Sequence, residues 1–305
     1  MISFLKIIRW KNLLIIALVQ YLIKYALFEP FQVETALDDL SFSLFVLATL
    51  CTAAAGYIIN DIYDVETDLI NDQKKVIVGK HISKKSANTL FIVLTVVGVG
   101  LGFYLANLIS NSGFAALFVV VSALLYVYSS YLKKMTLVGN IVISLIVGMT
   151  IIMVGIFDLI PTINETNQET QLTYFKILID YALFAFVITF IREMAKDIED
   201  IDGDFNVGMK TLPILIGRER AGKVVFFLLF IPIAGLIYYV STYLYRHQIA
   251  VGYFLIFITG PLIYCCVKSF TATSKKEWHH ISQVLKLDML LGILSLLLYK
   301  FILLP

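Results

Sequence analysis

The stretch FSLFVLATLCTAAAGYIINDIYDVETD, residues 42–68, joins two kinds of sequence in one unbroken run. Residues 42–60 carry no Asp, Glu, Lys or Arg, and then four acids follow closely: Asp61, Asp64, Glu66 and Asp68. An uncharged run of this length, coiled at about 1.5 Å per residue, is close to the roughly 30 Å depth of a bilayer's hydrocarbon core. The stretch therefore reads as a helix that crosses a membrane and ends in an acidic cluster.

Working outward, eight more apolar stretches of spanning length lie at 12–29, 89–108, 113–128, 137–157, 174–194, 222–240, 249–268 and 284–304. Runs of this length exclude the short alternating segments of a membrane β-barrel. The composition agrees. Of 305 residues 59% are hydrophobic and 15% charged, and mean hydropathy is +0.87. A soluble domain carries about 25% charged residues, so an ordinary globule, a disordered chain, a coiled coil and a secreted disulfide scaffold are all excluded. The three cysteines, Cys51, Cys265 and Cys266, lie in apolar runs; an odd number with two adjacent suits neither a disulfide framework nor a zinc site. The expected fold is all-α: a polytopic membrane protein of nine transmembrane helices, forming a single domain over residues 1–305. Lys6, Arg9 and Lys11 before the first stretch imitate a signal peptide, but no small-residue cleavage pattern follows, so that helix is read as retained.

Lysine and arginine set the orientation. Twenty of the 24 fall in the N-terminus and in the segments 61–88, 129–136, 192–223 and 268–286; only Lys24, Lys176, Arg246 and Lys300 lie on the other side. This split predicts a cytoplasmic N-terminus, cytoplasmic acidic clusters and a C-terminus on the opposite side. Net charge is +2, so bulk charge indicates no partner. The basic patches have topology as a sufficient cause, and nothing suggests nucleic-acid binding.

The acidic cluster after residue 60 has a counterpart. Asn60, Asp64 and Asp68 are spaced i, i+4, i+8; Asp197, Asp200 and Asp204 are spaced i, i+3, i+7. On a helix each set shares one face, drifting only ~40° per step of four. Like charges at such spacing are mutually destabilising, and placing them near hydrocarbon costs more. A single cluster of this kind could be a solvated acidic loop. Two clusters, on the same side and both followed by basic residues, call for a compensating cation. Oxygen-only ligands select hard ions, Mg2+ above all, which is bound together with substrate phosphates. Clusters facing each other would hold about two or three such ions against a diphosphate leaving group.

With these motifs the chain resembles the UbiA superfamily of intramembrane prenyltransferases. Asn60-Asp61-x-x-Asp64-x-x-x-Asp68 is similar to its first aspartate-rich motif. Asp200-x-x-x-Asp204, with Val207-Gly208-Met209-Lys210-Thr211-Leu212-Pro213 after it, is similar to its second. Arg9-Trp10, Ile70-Asn71 and Lys133-Lys134 are secondary matches, and the resemblance covers nearly the whole chain. It implies nine helices around a central cavity closed by the two motif segments. It also implies a polyprenyl diphosphate donor bound through Mg2+, whose tail lies in a groove open to membrane lipid. Ionisation gives an allylic carbocation that a lipophilic acceptor attacks. By the same resemblance Asp64, Asp68, Asp200 and Asp204 are the catalytic carboxylates. Asn60, Asp61 and Asp197 join them as metal ligands, and Arg9, Lys75, Lys133, Lys134 and Lys210 contact the diphosphate. Where many members carry Arg-Pro after the asparagine, this chain has Lys75-Val76, and a lysine replaces the charge but not the bidentate fork.

The run Arg192-Glu193-Met-Ala-Lys196-Asp197-Ile-Glu199-Asp200-Ile-Asp202-Gly203-Asp204 looks most like the geranylgeranylglyceryl phosphate and chlorophyll synthase side of the family. It favours a geranylgeranyl donor and a geranylgeranylglyceryl phosphate acceptor over aromatic quinone precursors and tetrapyrroles. A function of another class, a cation or proton-coupled transporter, would place its acids at midplane in broken helices; here they sit at helix ends.

Overall fold

The computed structural model describes residues 2–71, 73 and 76–302. Among these, nine helices are long and apolar enough to cross a membrane. In chain order, with the two short helices that matter for the site, they are α1 (Trp10–Phe31), α2 (Asp39–Tyr63), α3 (Val65–Asn71), α4 (Lys84–Leu108), α5 (Ser112–Ser130), α6 (Val138–Thr162), α7 (Gln168–Glu199), α8 (Ile201–Asn206), α9 (Arg218–Leu244), α10 (Gln248–Thr271) and α11 (Lys275–Leu298).

Local chemistry sets several of these starts. Asp38 caps α2 by accepting from the Ser41 N–H, and Ser83 caps α4 by accepting from the Ser86 N–H. Each satisfies a backbone donor that the first turn leaves without a partner. Ser274 and Glu277 form a reciprocal capping box on α11. That box explains a shift from the hydropathy reading. The last span is expected at 284–304, yet the helix begins at Lys275: the box caps its polar first turn, and the buried side chains of Trp278 and Ile281 anchor the next. The segments between spans are also more ordered than loops. α3 and α8 continue α2 and α7 after a bend at Asp64 and at Asp200.

Six helices, α1, α2, α5, α6, α7 and α11, surround a central cavity of about 320 Å³. α4 packs outside α2 and α5, while α9 and α10 pack outside α7 and α11. Two apolar cores flank the cavity. One is rich in aromatic rings: Phe45 lies 5.2 Å from Phe157, and Phe118 meets both. The other joins Ile188, Leu229, Leu262, Trp278 and Leu285. At the end remote from the acidic motifs, Lys24 and Asp158 form a buried ion pair of 3.0 Å. Lys24 also donates to Thr35 Oγ1 and to the Leu37 carbonyl, while Asp158 accepts the Leu37 N–H. This pair ties the connection after α1 onto the end of α6.

Candidate active site

The first motif begins inside α2 and ends inside α3. Backbone bonds run from the Asp64 N–H to the Asn60 carbonyl and from the Asp68 N–H to the Asp64 carbonyl. The i, i+4, i+8 register expected from the sequence therefore survives the bend. Asn60 Nδ2 donates to Asp64 Oδ2. The second motif repeats the device. The Asp200 N–H donates to the Lys196 carbonyl and the Asp204 N–H to the Asp200 carbonyl.

The fold brings the two motifs together. The Gly203 N–H donates to Asn71 Oδ1 at 3.0 Å, so α8 rests directly on the end of α3. A methyl group on Gly203 would lie 2.3 Å from the Asn71 amide carbon, so a larger residue would force the Asn71 side chain out of this contact. Lys275, at the start of α11, bridges both motifs. Its ammonium donates to the Asn71 carbonyl and lies 3.6 Å from Asp200 Oδ1.

Among the described residues the two motifs carry more acids than bases. Asp204 is 7% exposed. Its carboxyl is pushed up to about 8, first by burial and then by the charges of Asp197, Asp200 and Asp64. Asp200 Oδ1 is buried and accepts no hydrogen bond among the described residues. A surplus of negative oxygen donors, with Asp200 Oδ1 lacking a hydrogen bond and met by the Lys275 ammonium only at 3.6 Å, fits a hard divalent cation. Among the described residues no three carboxylates converge tightly enough to hold an ion by themselves. That too suits Mg2+, which is usually held by one or two carboxylates with water and substrate phosphate completing its shell.

The other expected site residues fall into distinct places. Lys133 donates to Asp64 Oδ1 and lies 3.4 Å from Asn60 Oδ1, putting a fixed cation at the first motif. Gly139 in α6 makes room for it, since a methyl group there would lie 2.7 Å from the Lys133 Cα. Arg9 takes a left-handed backbone (φ 49°), a conformation that costs a non-glycine residue about 1–2 kcal/mol. From there it pairs with Asp61 at 2.9 Å and lies over the Tyr57 ring. Asp61 thus faces Arg9, and Asp197 accepts from the Asn140 amide at 2.8 Å. Lys134 and Lys210 join through the main chain: the Lys210 N–H donates to the Lys134 carbonyl, and Thr136 Oγ1 donates to the Lys210 carbonyl. The Lys210 side chain is exposed. Lys75 lies outside the described residues.

The cavity opens from this cluster. Asn60 and Arg9 line its motif end, and Val19, Phe118, Ile146, Met153 and Ile293 line its apolar depth. One face of α7 runs along it through Tyr181, Ala185, Thr189, Arg192 and Lys196, a length of about 22 Å at 1.5 Å per residue. The motif reading assigned no role to Arg192, Glu193, Lys196 or Lys286, all of which line the cavity. Their signal was available: each is a charge at the edge of, or inside, a stretch long enough to span.

The family model for UbiA prenyltransferases matches residues 13–299. The chain belongs to the UbiA prenyltransferase family. As such it is an integral, multi-pass membrane prenyltransferase. It is 29% identical over 260 residues to a digeranylgeranylglyceryl phosphate synthase from Methanobrevibacter smithii, covering 84% of this chain and 86% of the relative. It is 31% identical over 253 residues to the protein of the same name from Korarchaeum cryptofilum, covering 81% of each. A UbiA homolog from Archaeoglobus fulgidus, solved bound to GPP and Mg2+, shares the fold with a TM-score of 0.59 at 16% identity, over 97% of this chain and 99% of that one.

Proposed function

We propose that this UbiA-family enzyme transfers a geranylgeranyl group from geranylgeranyl diphosphate to the hydroxyl of geranylgeranylglyceryl phosphate, using Mg2+. The observation that carries the reading is the shape of the cavity's polarity: oxygen donors and cations at one end, and a mainly apolar bore running about three helical turns beyond them. A diphosphate headgroup suits the first and a polyprenyl tail the second. The names of the two relatives support the acceptor, and the metal bound by the Archaeoglobus homolog supports Mg2+.

Asn60, Asp64, Asp68, Asp200 and Asp204 would hold the metal, which supplies charge neutralisation for the departing diphosphate. Lys133, beside Asp64, adds a fixed cation as negative charge develops there. The apolar walls keep water from the allylic cation, so that the acceptor's hydroxyl is the nucleophile that reaches it. The bias of basic residues supports a cytoplasmic motif end and N-terminus, with the C-terminus opposite, and on this reading the whole chain acts as one domain.

The test is product formation by the purified protein from labelled geranylgeranyl diphosphate and Mg2+. The acceptors offered are geranylgeranylglyceryl phosphate, 4-hydroxybenzoate, 1,4-dihydroxy-2-naphthoate, a chlorophyllide and haem. An EDTA-sensitive ether product with the first alone is expected. A product with only an aromatic acid or a tetrapyrrole overturns the acceptor assignment.

A further inference from the structure

The α7–α11 wall of the cavity carries charges that the metal-centred chemistry leaves unused. Arg192 and Lys196 on α7 and Lys286 on α11 all face the cavity, and Glu193 is the one carboxylate among its lining residues. Glu193 is already shared: Arg192 Nη1 lies 3.0 Å and Lys196 Nζ 2.8 Å from its Oε1. The Arg192 guanidinium is steadied by a further bond from Nε to the Ser282 carbonyl. Lys286 Nζ donates to the Asn12 amide oxygen at 2.6 Å, and among the described residues it forms no ion pair.

Arg192, Lys196 and Lys286 thus stand against the single lining carboxylate of Glu193 on the inner wall of a membrane-embedded bundle, while Arg9, which also lines the cavity, is paired with Asp61. Unbalanced charge in that setting is costly and is kept where it meets a ligand. The missing counter-charge amounts to about two negative charges, which is what a phosphate monoester carries near neutral pH. A guanidinium fork and two ammonium groups also offer the several donors that a tetrahedral oxyanion accepts. The donor's diphosphate has its own partners. Asp64, Asp200, Asp204 and Lys133 do not line the cavity, whereas the three cations do, together with Asn60 and Arg9 at its motif end.

We propose that Arg192, Lys196 and Lys286 bind the phosphate monoester of the acceptor and make the enzyme select phosphorylated over uncharged lipid alcohols. The assignment rests on the acceptor reading above, and the competing source of the same chemistry is the donor's diphosphate.

The test combines kinetics with direct binding. Lys286→Met, Arg192→Met and Lys286→Arg are compared with the parent protein, each first shown monodisperse in detergent. Lys286→Met is expected to raise KM for geranylgeranylglyceryl phosphate at least tenfold while KM for geranylgeranyl diphosphate stays within twofold. The same change should narrow the preference for that acceptor over geranylgeranylglycerol, and Lys286→Arg should restore most of both. By calorimetry, donor-free parent protein should bind n-dodecyl phosphate but not dodecanol, and Lys286→Met and Arg192→Met should lose that binding. A rise in the donor's KM with the acceptor's unchanged assigns the cluster to the diphosphate and overturns the proposal. So does dodecyl phosphate binding that ignores both methionine variants, even if geranylgeranylglyceryl phosphate is the substrate. Conversely, cation-dependent dodecyl phosphate binding in a protein that rejects geranylgeranylglyceryl phosphate overturns the acceptor reading and leaves the anion site standing.

Discussion

Asp204 shows how much placement changes a side chain. As a sequence letter it is one of several acids with an ordinary pKa near 4. In the fold, burial and three facing carboxylates push it up to about 8 in the metal-free protein. Metal binding requires the ionised form, so below about pH 8 the ion must displace a proton. The sign follows: Mg2+ affinity rises with pH up to about 8 and levels off above it, and it falls by up to about tenfold for each pH unit below. The Mg2+ concentration for half-maximal prenyl transfer, measured from about pH 6 to about pH 9, should trace that curve. Asp204→Asn, neutral throughout, should flatten it while raising the requirement at high pH. A requirement independent of pH in the parent protein would contradict the assignment. Asp61 makes the opposite point. It sits inside the first motif, yet its side chain is committed to Arg9, 52 positions earlier.

Between elements, the decisive contact is α3 against α8. Gly203 lies within a short helix, where alanine is ordinarily favoured by about 1 kcal/mol. Here the sign should reverse, because the added methyl would meet the Asn71 amide at 2.3 Å. Gly203→Ala is expected to part the two motifs and lower kcat by roughly 10- to 100-fold, as displacements near 1 Å do in preorganised sites. Pairing it with Asn71→Gly removes the obstacle. The double variant should be more active than the two single effects multiplied together would give. Strict additivity would show that the contact does not set the spacing between motifs.

At the far end of the bundle a buried ion pair ties two elements together. Lys24 and Asp158 have side chains 8% and 0% exposed, and they close the connection after α1 over the end of α6. Removing one partner strands the other charge, a change that typically costs about 3–5 kcal/mol. Asp158→Ala should lower the Tm in detergent by several degrees or more, and Asp158→Asn, which retains an acceptor for the Leu37 N–H, by less. Equal Tm values for parent and alanine variant would assign the pair no structural role.

Nine spans, their order and the acidic ends of two of them were legible in the sequence because the cost of burying charge in hydrocarbon is paid residue by residue. Any window of about 20 residues reveals it. Helical spacing likewise predicted which oxygens of each motif share a face, and the i+4 backbone bonds keep that register across the bends. The start of α11 at Lys275 lies outside any apolar window, because its first turn, Lys275-Lys276-Glu277, is charged and is held by the Ser274 cap. What the linear chain could not show is which charges meet. Arg9 with Asp61, Lys133 with Asp64, Gly203 with Asn71, and Arg192 beside Lys286 all join positions from 52 to 132 apart or on separate helices. Electrostatic and steric forces act over a few ångströms of space, and only the packing of six helices around one cavity decides which groups come within that range.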